Sequence, residues 1–316
     1  MRLPTKIATL QFLLLLCIAV LSILLFLPLS PVSEGGGIGN PNTSVITRVN
    51  ITNAAPYVYN LSIINTITLV PNATTWVWCA ALVEDLNTVA DISSVNATLH
   101  NTNFSLPNGV DYNTTHYTNS SCTNFSDVDS FTRLYNCTFE LWYNANPGNW
   151  TCNITAADAA TVSDSERITT TVNELIALMV GDLIDFGKVA VLNYSDNIHF
   201  NVTNVGNKNI NISVYAYGSR DNDTLAMVCD YGNISIGNIR VSINSSDITS
   251  PLDFNTMTIV NNSNSTPTRI ANLTVLQYNM TYTASINTTV WRLYVPNAGR
   301  PSGICNGTVV FRALRA

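Results

Sequence analysis

The stretch "EDLNTVADI" gathers Glu84, Asp85, Asn87 and Asp91 directly behind an apolar, strand-like run. A further carboxylate, Asp158, closes a second such run, "TCNITAAD". Clustered carboxylate and amide oxygens are the ligands that Ca²⁺ prefers, since it takes about 6–8 hard oxygen donors. Asp85, Asn87, Asp91 and Asp158 are therefore the candidate calcium ligands. No EF-hand loop or repeated D-x-D pattern accompanies them, and an acidic turn is the competing explanation because Asp and Asn favour turns. No other cofactor is expected.

Catalytic chemistry has little support. The chain has no G-x-S-x-G, H-E-x-x-H or C-x-x-C, and His100, His116 and His199 are not spaced as a ligand set. An enzyme is not expected, although a glycosidase-type carboxylate pair is defined by distance in space and not by spacing in sequence. Trp76, Trp78, Trp142, Trp150 and Trp291 would make a sugar-binding platform if exposed. Most alternate with polar residues or flank cysteines, so core packing is the expectation for them.

The cysteines carry clearer information. Cys17 lies in an apolar N-terminal run, and Cys79, Cys122, Cys137, Cys152, Cys229 and Cys305 form an even set beyond it. That suits an oxidising compartment. The N-terminus agrees: Arg2 and Lys6 precede a run from Ile7 to Leu29 that is apolar apart from Thr9, Gln11 and Ser22. At 1.5 Å per residue it reaches about 34 Å, enough to span a bilayer core. It exceeds the apolar region of an ordinary cleaved signal, and its exit, "PLSPVSEGGG", is poor in small-x-small character. Residues 1–29 are expected to be a signal-anchor helix, with the basic residues inside and the remainder outside the cell. The localisation expected is the cell membrane, single-pass, with an extracellular C-terminal ectodomain.

Composition narrows the class further. Charged residues make up 11 % and apolar ones 46 %, with a net charge of −6. Low charge with this much apolar content is not disorder, and the negative balance without a basic run excludes a nucleic-acid surface. Residues 30–44 are rich in Gly, Pro, Ser and Asn and read as a flexible stalk. Beyond it come short alternating segments with turn residues between them, which is the pattern of β-sandwiches. "NELIALMV" is the single ambiguous run. Expected strands include "TWVWCAALVED", "LYNCTFELWY" and "NWTCNITAAD" in a first unit, residues 45–160. In a second unit, residues 171–316, they include "DFGKVAVL", "NIHFNVTNV", "NINISVYAYG" and "GTVVFRA". The polar junction at 161–170 reads as a linker. The fold class expected is all-β, two tandem immunoglobulin-like sandwiches behind an N-terminal transmembrane helix.

N-x-[ST] acceptors are frequent, and in many the middle residue is apolar. Side chains alternate between faces along a strand, so N-apolar-T puts Asn and Thr outward and the middle residue inward. The expected N-glycosylation sites are Asn60, Asn96, Asn113, Asn149, Asn153, Asn201, Asn211, Asn222, Asn233, Asn244, Asn261, Asn264, Asn272 and Asn306. In "NINISVYA" this parity places Asn211 and Ser213 outside. In "NPGNWTCNITAAD" it places Trp150, Cys152 and Ile154 inside, after a turn at Asn146-Pro147-Gly148.

In an immunoglobulin-like sandwich an early-strand cysteine crosslinks to a late-strand one in the opposite sheet. Cys79 and Cys152 fit those roles, leaving Cys122 with Cys137, and Cys229 with Cys305 in the second unit. Inside the first unit this is one of three possible connectivities.

Through "VEDLNTVADISSVNATL" and "FELWYNANPGNWTCNITAAD" the first unit resembles the PKD- or cadherin-like modules of archaeal exported surface proteins. The second resembles related modules through "IDFGKVAV", "NVTNVGNKNINISVYAYG" and "WRLYVPNAGRPSGICNGTVVFRA". The resemblance implies a β-sandwich fold and a surface location, with no activity attached. The function expected is a structural or adhesive one, through contact with other surface proteins or glycans. A pilin-like filament subunit is the alternative, since archaeal pilins also carry an apolar helix ahead of a β-domain. Their signals place Gly or Ala where this chain has Ile7. A carbohydrate-binding or carbohydrate-active surface protein is a further alternative.

Overall fold

The structure, a computed structural model, describes residues 44–243, 251–279 and 285–316. The expected membrane helix, nearly all of the expected stalk and Asn244 lie outside the described residues. Among the described residues no helix is long and apolar enough to cross a membrane. The chain divides into two units, a compact one of residues 53–316 and one of residues 1–52. Residues 44–52, the described part of the latter, have no regular structure and exposed side chains.

The first half of the compact unit is a two-sheet sandwich of nine strands. They are β1 (Tyr57–Ile63), β2 (Thr66–Ile67), β3 (Thr74–Glu84), β4 (Ile92–Asn101), β5 (His116–Asn119), β6 (Thr123–Asp127), β7 (Thr132–Trp142), β8 (Gly148–Asp158) and β9 (Ser163–Val172). One sheet has the order β1-β3-β7-β6 and the other β2-β9-β8-β4-β5. The N-terminal strand divides between them: β1 pairs antiparallel with β3, then the chain crosses and β2 runs parallel to β9. This arrangement is an immunoglobulin-like sandwich. Alternation builds its core: Val77, Cys79, Ala81 and Val83 of β3 face Trp150, Cys152, Ile154 and Ala156 of β8 within one apolar cluster.

Two features of that core follow the immunoglobulin pattern. Cys79 on β3 and Cys152 on β8 are disulfide-bonded across the sheets, with Cα atoms 6.7 Å apart. Two residues before Cys152, the buried Trp150 donates its indole Nε1–H to the Asn146 carbonyl at 2.8 Å. A tyrosine hydroxyl commonly makes the equivalent link in immunoglobulin domains. Here the bond ties β8 to the turn that precedes it. That turn, with Gly148 at φ +121°, carries the chain from one sheet to the other and is not a hairpin.

Residues 161–170, expected as a linker, lie mostly in β9, which pairs with β8 from Gly148↔Val172 to Ala157↔Ser163. Its polarity has a simple cause: most of its side chains are at least partly solvated.

The second half contains β10 (Leu178–Val180), β11 (Ile198–Asn204), β12 (Ile210–Tyr217), β13 (Leu225–Tyr231), β14 (Asn233–Ser235), β15 (Ile239–Ile243), β16 (Thr258–Ile259), β17 (Thr268–Val275), β18 (Ile286–Leu293), β19 (Ser302–Asn306) and β20 (Thr308–Arg315). The sheets run β10-β11-β18-β15-β16, β17-β12-β20 and β14-β13-β19, around a second apolar cluster that includes Trp291, Ile210, Ile212 and Val241. Two expectations fail here, and the ambiguous run resolves. "DFGKVAVL" is irregular, broken by Gly187 at φ +67°, and lends Phe186 and Val189 to the core without strand pairing. Of "NELIALMV" only Leu178–Val180 is strand. Ser213, expected outside, is buried, standing between Arg269 of β17 and Arg312 of β20.

The halves meet at a polar seam. The fully buried Asn207 side chain donates to the carbonyls of Ala145 (3.0 Å) and Asn173 (2.9 Å) and accepts from Leu175 N–H at 2.7 Å. Gln277 Nε2 donates to Asn144 O and Asn146 Oδ1, and Asn144 Nδ2 donates to Tyr278 O.

Candidate metal centre

Asp85 follows the last residue of β3, Asp91 precedes the first of β4, and Asp158 ends β8. β4 and β8 are partners, with Ile92 opposite Asp158, whereas β3 belongs to the other sheet. Three carboxylates from both sheets therefore converge at one end of the sandwich, each offering an oxygen within 4.8 Å of the others. Asp85 and Asp158 are buried and Asp91 is half-buried. Fully ionised, each pair at that distance repels by about 3.5 kcal/mol at an effective dielectric of about 20. Among the described residues no Lys or Arg forms an ion pair with any of them.

The turns that hold the carboxylates are closely bonded. Asp85 Oδ1 accepts from Asn87 N–H at 2.7 Å, and the Asp85 N–H donates to Phe131 O. Asp158 Oδ1 accepts from Val162 N–H at 2.8 Å and its Oδ2 from Asn53 Nδ2 at 2.6 Å. Each carboxylate oxygen has a second lone pair, so these bonds leave room for a ligand. Asp85 Oδ2 is buried and has no hydrogen-bond partner. Asn87, the fourth expected ligand, accepts at its Oδ1 from the N–H of Ala54 at 2.8 Å and so ties the entering chain to this turn, its second lone pair remaining.

The structure joins the same three cysteine pairs that the sequence suggested: Cys79–Cys152, Cys122–Cys137 and Cys229–Cys305. Cys229 and Cys305 are directly opposed on β13 and β19. Every described glycosylation candidate is exposed or half-buried and none is buried. At Asn261 the acceptor nitrogen donates to Thr266 O at 2.7 Å.

The tryptophans divide. Trp150 and Trp291 are fully buried, as expected. Trp76, Trp78 and Trp142 are instead 68 %, 48 % and 47 % exposed, on the outer face of β3 and β7. Trp76 stands opposite Glu140 and Trp78 opposite Thr138. Parity carries the signal: Trp76 and Trp78 alternate with the buried Cys79, and Trp142 lies an odd number of residues from the buried Cys137.

The fold also brings two histidines together that sequence spacing keeps apart. His100 and His116 are buried cross-strand partners on β4 and β5, with ring centroids 5.9 Å apart. His116 Nδ1 lies 3.0 Å from the Asp111 carboxylate. Burial, and secondarily the charge His116 can carry, push the His100 pKa below its ordinary value.

No protein-family model matches the chain, and neither does any curated protein. Among solved structures it is similar to a chaperone–tip adhesion subunit complex of the Csu pili of Acinetobacter baumannii. That match has 11 % identity and a TM-score of 0.35, over 80 % of this chain and 99 % of that one. It is similar to a titin tandem of Ig domains at 9 % identity and TM-score 0.24, over 84 % and 97 % of the two chains. It is also similar to a chaperone–tip adhesin complex of CFA/I fimbriae, at 8 % identity and TM-score 0.25, over 78 % and 76 %. Scores this low carry no argument about activity. The class stands on strand order: an all-β chain with an immunoglobulin-like, disulfide-stabilised sandwich.

Proposed function

We propose that the chain is a non-enzymatic, N-glycosylated cell-surface protein with two immunoglobulin-like domains, held to the membrane by its N-terminal apolar run and serving a structural or adhesive role. The observation that carries this reading is the disulfide set, which uses all six cysteines of the described residues. Disulfides of this kind persist in oxidising, extracytoplasmic surroundings. The solvent-facing acceptor asparagines support the glycan coat. The outward indoles of Trp76, Trp78 and Trp142 support contact with surface proteins or glycans, since aromatic faces beside polar groups suit such partners. Non-reducing mass spectrometry of the native protein tests the reading. It should show an intact N-terminal peptide, three linked cysteine pairs and glycan mass on acceptor asparagines. Free thiols with unmodified asparagines throughout would overturn it.

A second reading, the filament subunit, is favoured by one observation. Val45, Ile46, Val49 and Ile51 are 80–95 % exposed in a segment without regular structure, and all four are β-branched. The second half carries an apolar groove of about 950 Å³, lined by residues such as Ile184, Phe186, Val189, Ile234 and Ile304, and β19 beside it pairs only with β13 among the described strands. In that reading the segment of one copy adds to the β19 edge of the next. Native-mass measurement of the chain with and without residues 44–52 discriminates: concentration-dependent multimers should vanish with the segment, and a monomer in both cases removes the filament.

A further inference from the structure

We propose that the first sandwich binds one divalent cation, Ca²⁺ by preference, through Asp85, Asp91 and Asp158. Three independent features point there. Three carboxylates come within 4.8 Å of one another, and two are buried. Asp85 Oδ2 is a buried acceptor without a donor, a state that folded proteins rarely leave uncompensated. No basic side chain of the described residues pairs with the group. A buried carboxylate cluster with a free oxygen and no basic partner among the described residues is the electrostatic complement of a metal ion. All-oxygen donors select a hard cation, and neither Cys nor His belongs to the set.

Ca²⁺ is preferred over Mg²⁺ for a structural reason. The ligands come from the end of β3, the turn before β4 and the end of β8, a site without enforced octahedral geometry. Ca²⁺ tolerates irregular shells completed by water, whereas Mg²⁺ demands near-ideal octahedra and dehydrates reluctantly. The cation would staple the two sheets at their open end. It would also brace the point where the chain enters, because Asn53 bonds Asp158 and Ala54 bonds Asn87 there. None of this depends on the adhesive role, since a cation between the sheets stands whatever the partner.

The test uses the full chain, stripped with chelator and dialysed, then titrated with CaCl₂ and separately with MgCl₂ by calorimetry and thermal unfolding. One Ca²⁺ per chain is expected, with a Kd on the order of 10⁻⁴–10⁻³ M, as in extracellular modules. The Tm should rise on Ca²⁺ addition and much less with Mg²⁺. Asp85→Asn should weaken Ca²⁺ at least about tenfold, and it should leave the metal-free Tm unchanged or raised because a like charge is gone. Asp91→Asn, at a half-buried position, serves as the second variant and should weaken Ca²⁺ while the protein stays folded. No Ca²⁺ binding to the wild-type chain, or wild-type affinity retained in both variants, overturns the proposal. So does an Asp85→Asn variant that loses stability without metal yet keeps the full calcium response.

Discussion

Replacing Asn207 by alanine tests whether the polar seam makes one unit of the two halves. The Asn207 amide makes three hydrogen bonds to backbone groups, to Ala145 O, Asn173 O and from Leu175 N–H, and is itself fully buried. Truncation orphans all three groups at once. Each unsatisfied buried group costs about 1–3 kcal/mol, and partial entry of water into the vacated volume returns some of it. A loss of about 3–5 kcal/mol is expected, a large share of the ~5–15 kcal/mol that stabilises a folded domain. Because the bonded groups lie on both sides of the seam, the variant should also uncouple the halves. Urea unfolding followed by fluorescence should change from one transition to two, since Trp76, Trp78, Trp142 and Trp150 report on the first half and Trp291 on the second. Gly206→Ala is an independent probe, because its Cβ would collide with the Leu175 carbonyl oxygen. A loss below about 1 kcal/mol in Asn207→Ala, with the fluorescence still following one transition, would refute the reasoning.

Three further outcomes are expected. Removing Cys79–Cys152 by paired alanines should cost about 4.4 kcal/mol and removing Cys122–Cys137 about 3 kcal/mol, because sequence separations of 73 and 15 close loops of different entropy; equal losses in denaturant titrations would contradict this. His100 has a folded pKa below its unfolded value, so between the two the unfolded chain binds more protons. Stability is full above about pH 6.5 and falls as pH drops through that value, and His100→Gln should flatten the slope of Tm against pH in that window. At Asp223 burial pushes the pKa up, but the N–H groups of Ser219, Leu225, Arg220 and Gly218 outweigh it and hold the carboxyl well below its ordinary range. Its contribution is present above about pH 4 and lost as pH falls below it; Asp223→Ala should speed amide exchange at Ser219 and Leu225.

Much of the first sandwich was legible because period-2 alternation and cysteine position constrain each other. Once Cys79 and Cys152 are placed inward, the neighbours of each strand follow. The acidic site was legible for a related reason: Asp85, Asp91 and Asp158 each mark a strand end, and opposing strand ends converge when two sheets pack. What the sequence hid were pairings that burial does not announce. β9 reads as a linker because solvent reaches most of its side chains, so only its hydrogen bonds to β8 reveal it. "DFGKVAVL" errs in the other direction, since its apolar residues fill the core from an irregular segment. His100 and His116 are distant in sequence and meet only through the β4–β5 register.

The tryptophans show how far one constraint reaches. In "TTWVWCAAL" every large residue is apolar, and apolarity alone assigns them all to the core. Strand geometry forbids that: Trp76 and Trp78 have the opposite parity to Cys79, so a disulfide across the sheets must turn both indoles to solvent. Trp150 has the parity of Cys152 and must go inside, where its indole N–H finds the Asn146 carbonyl. A disulfide in a strand thus fixes more than the covalent link, because it decides which aromatic residues pack and which remain available to a partner. Trp76, Trp78 and Trp142 stay outside despite the hydrophobic cost of exposure, beside Glu140 and Thr138, on the sheet face that faces away from the core. Exposure of three indoles on one face is not needed to build this sandwich, which is why that face is the place to test the proposed contact with a partner.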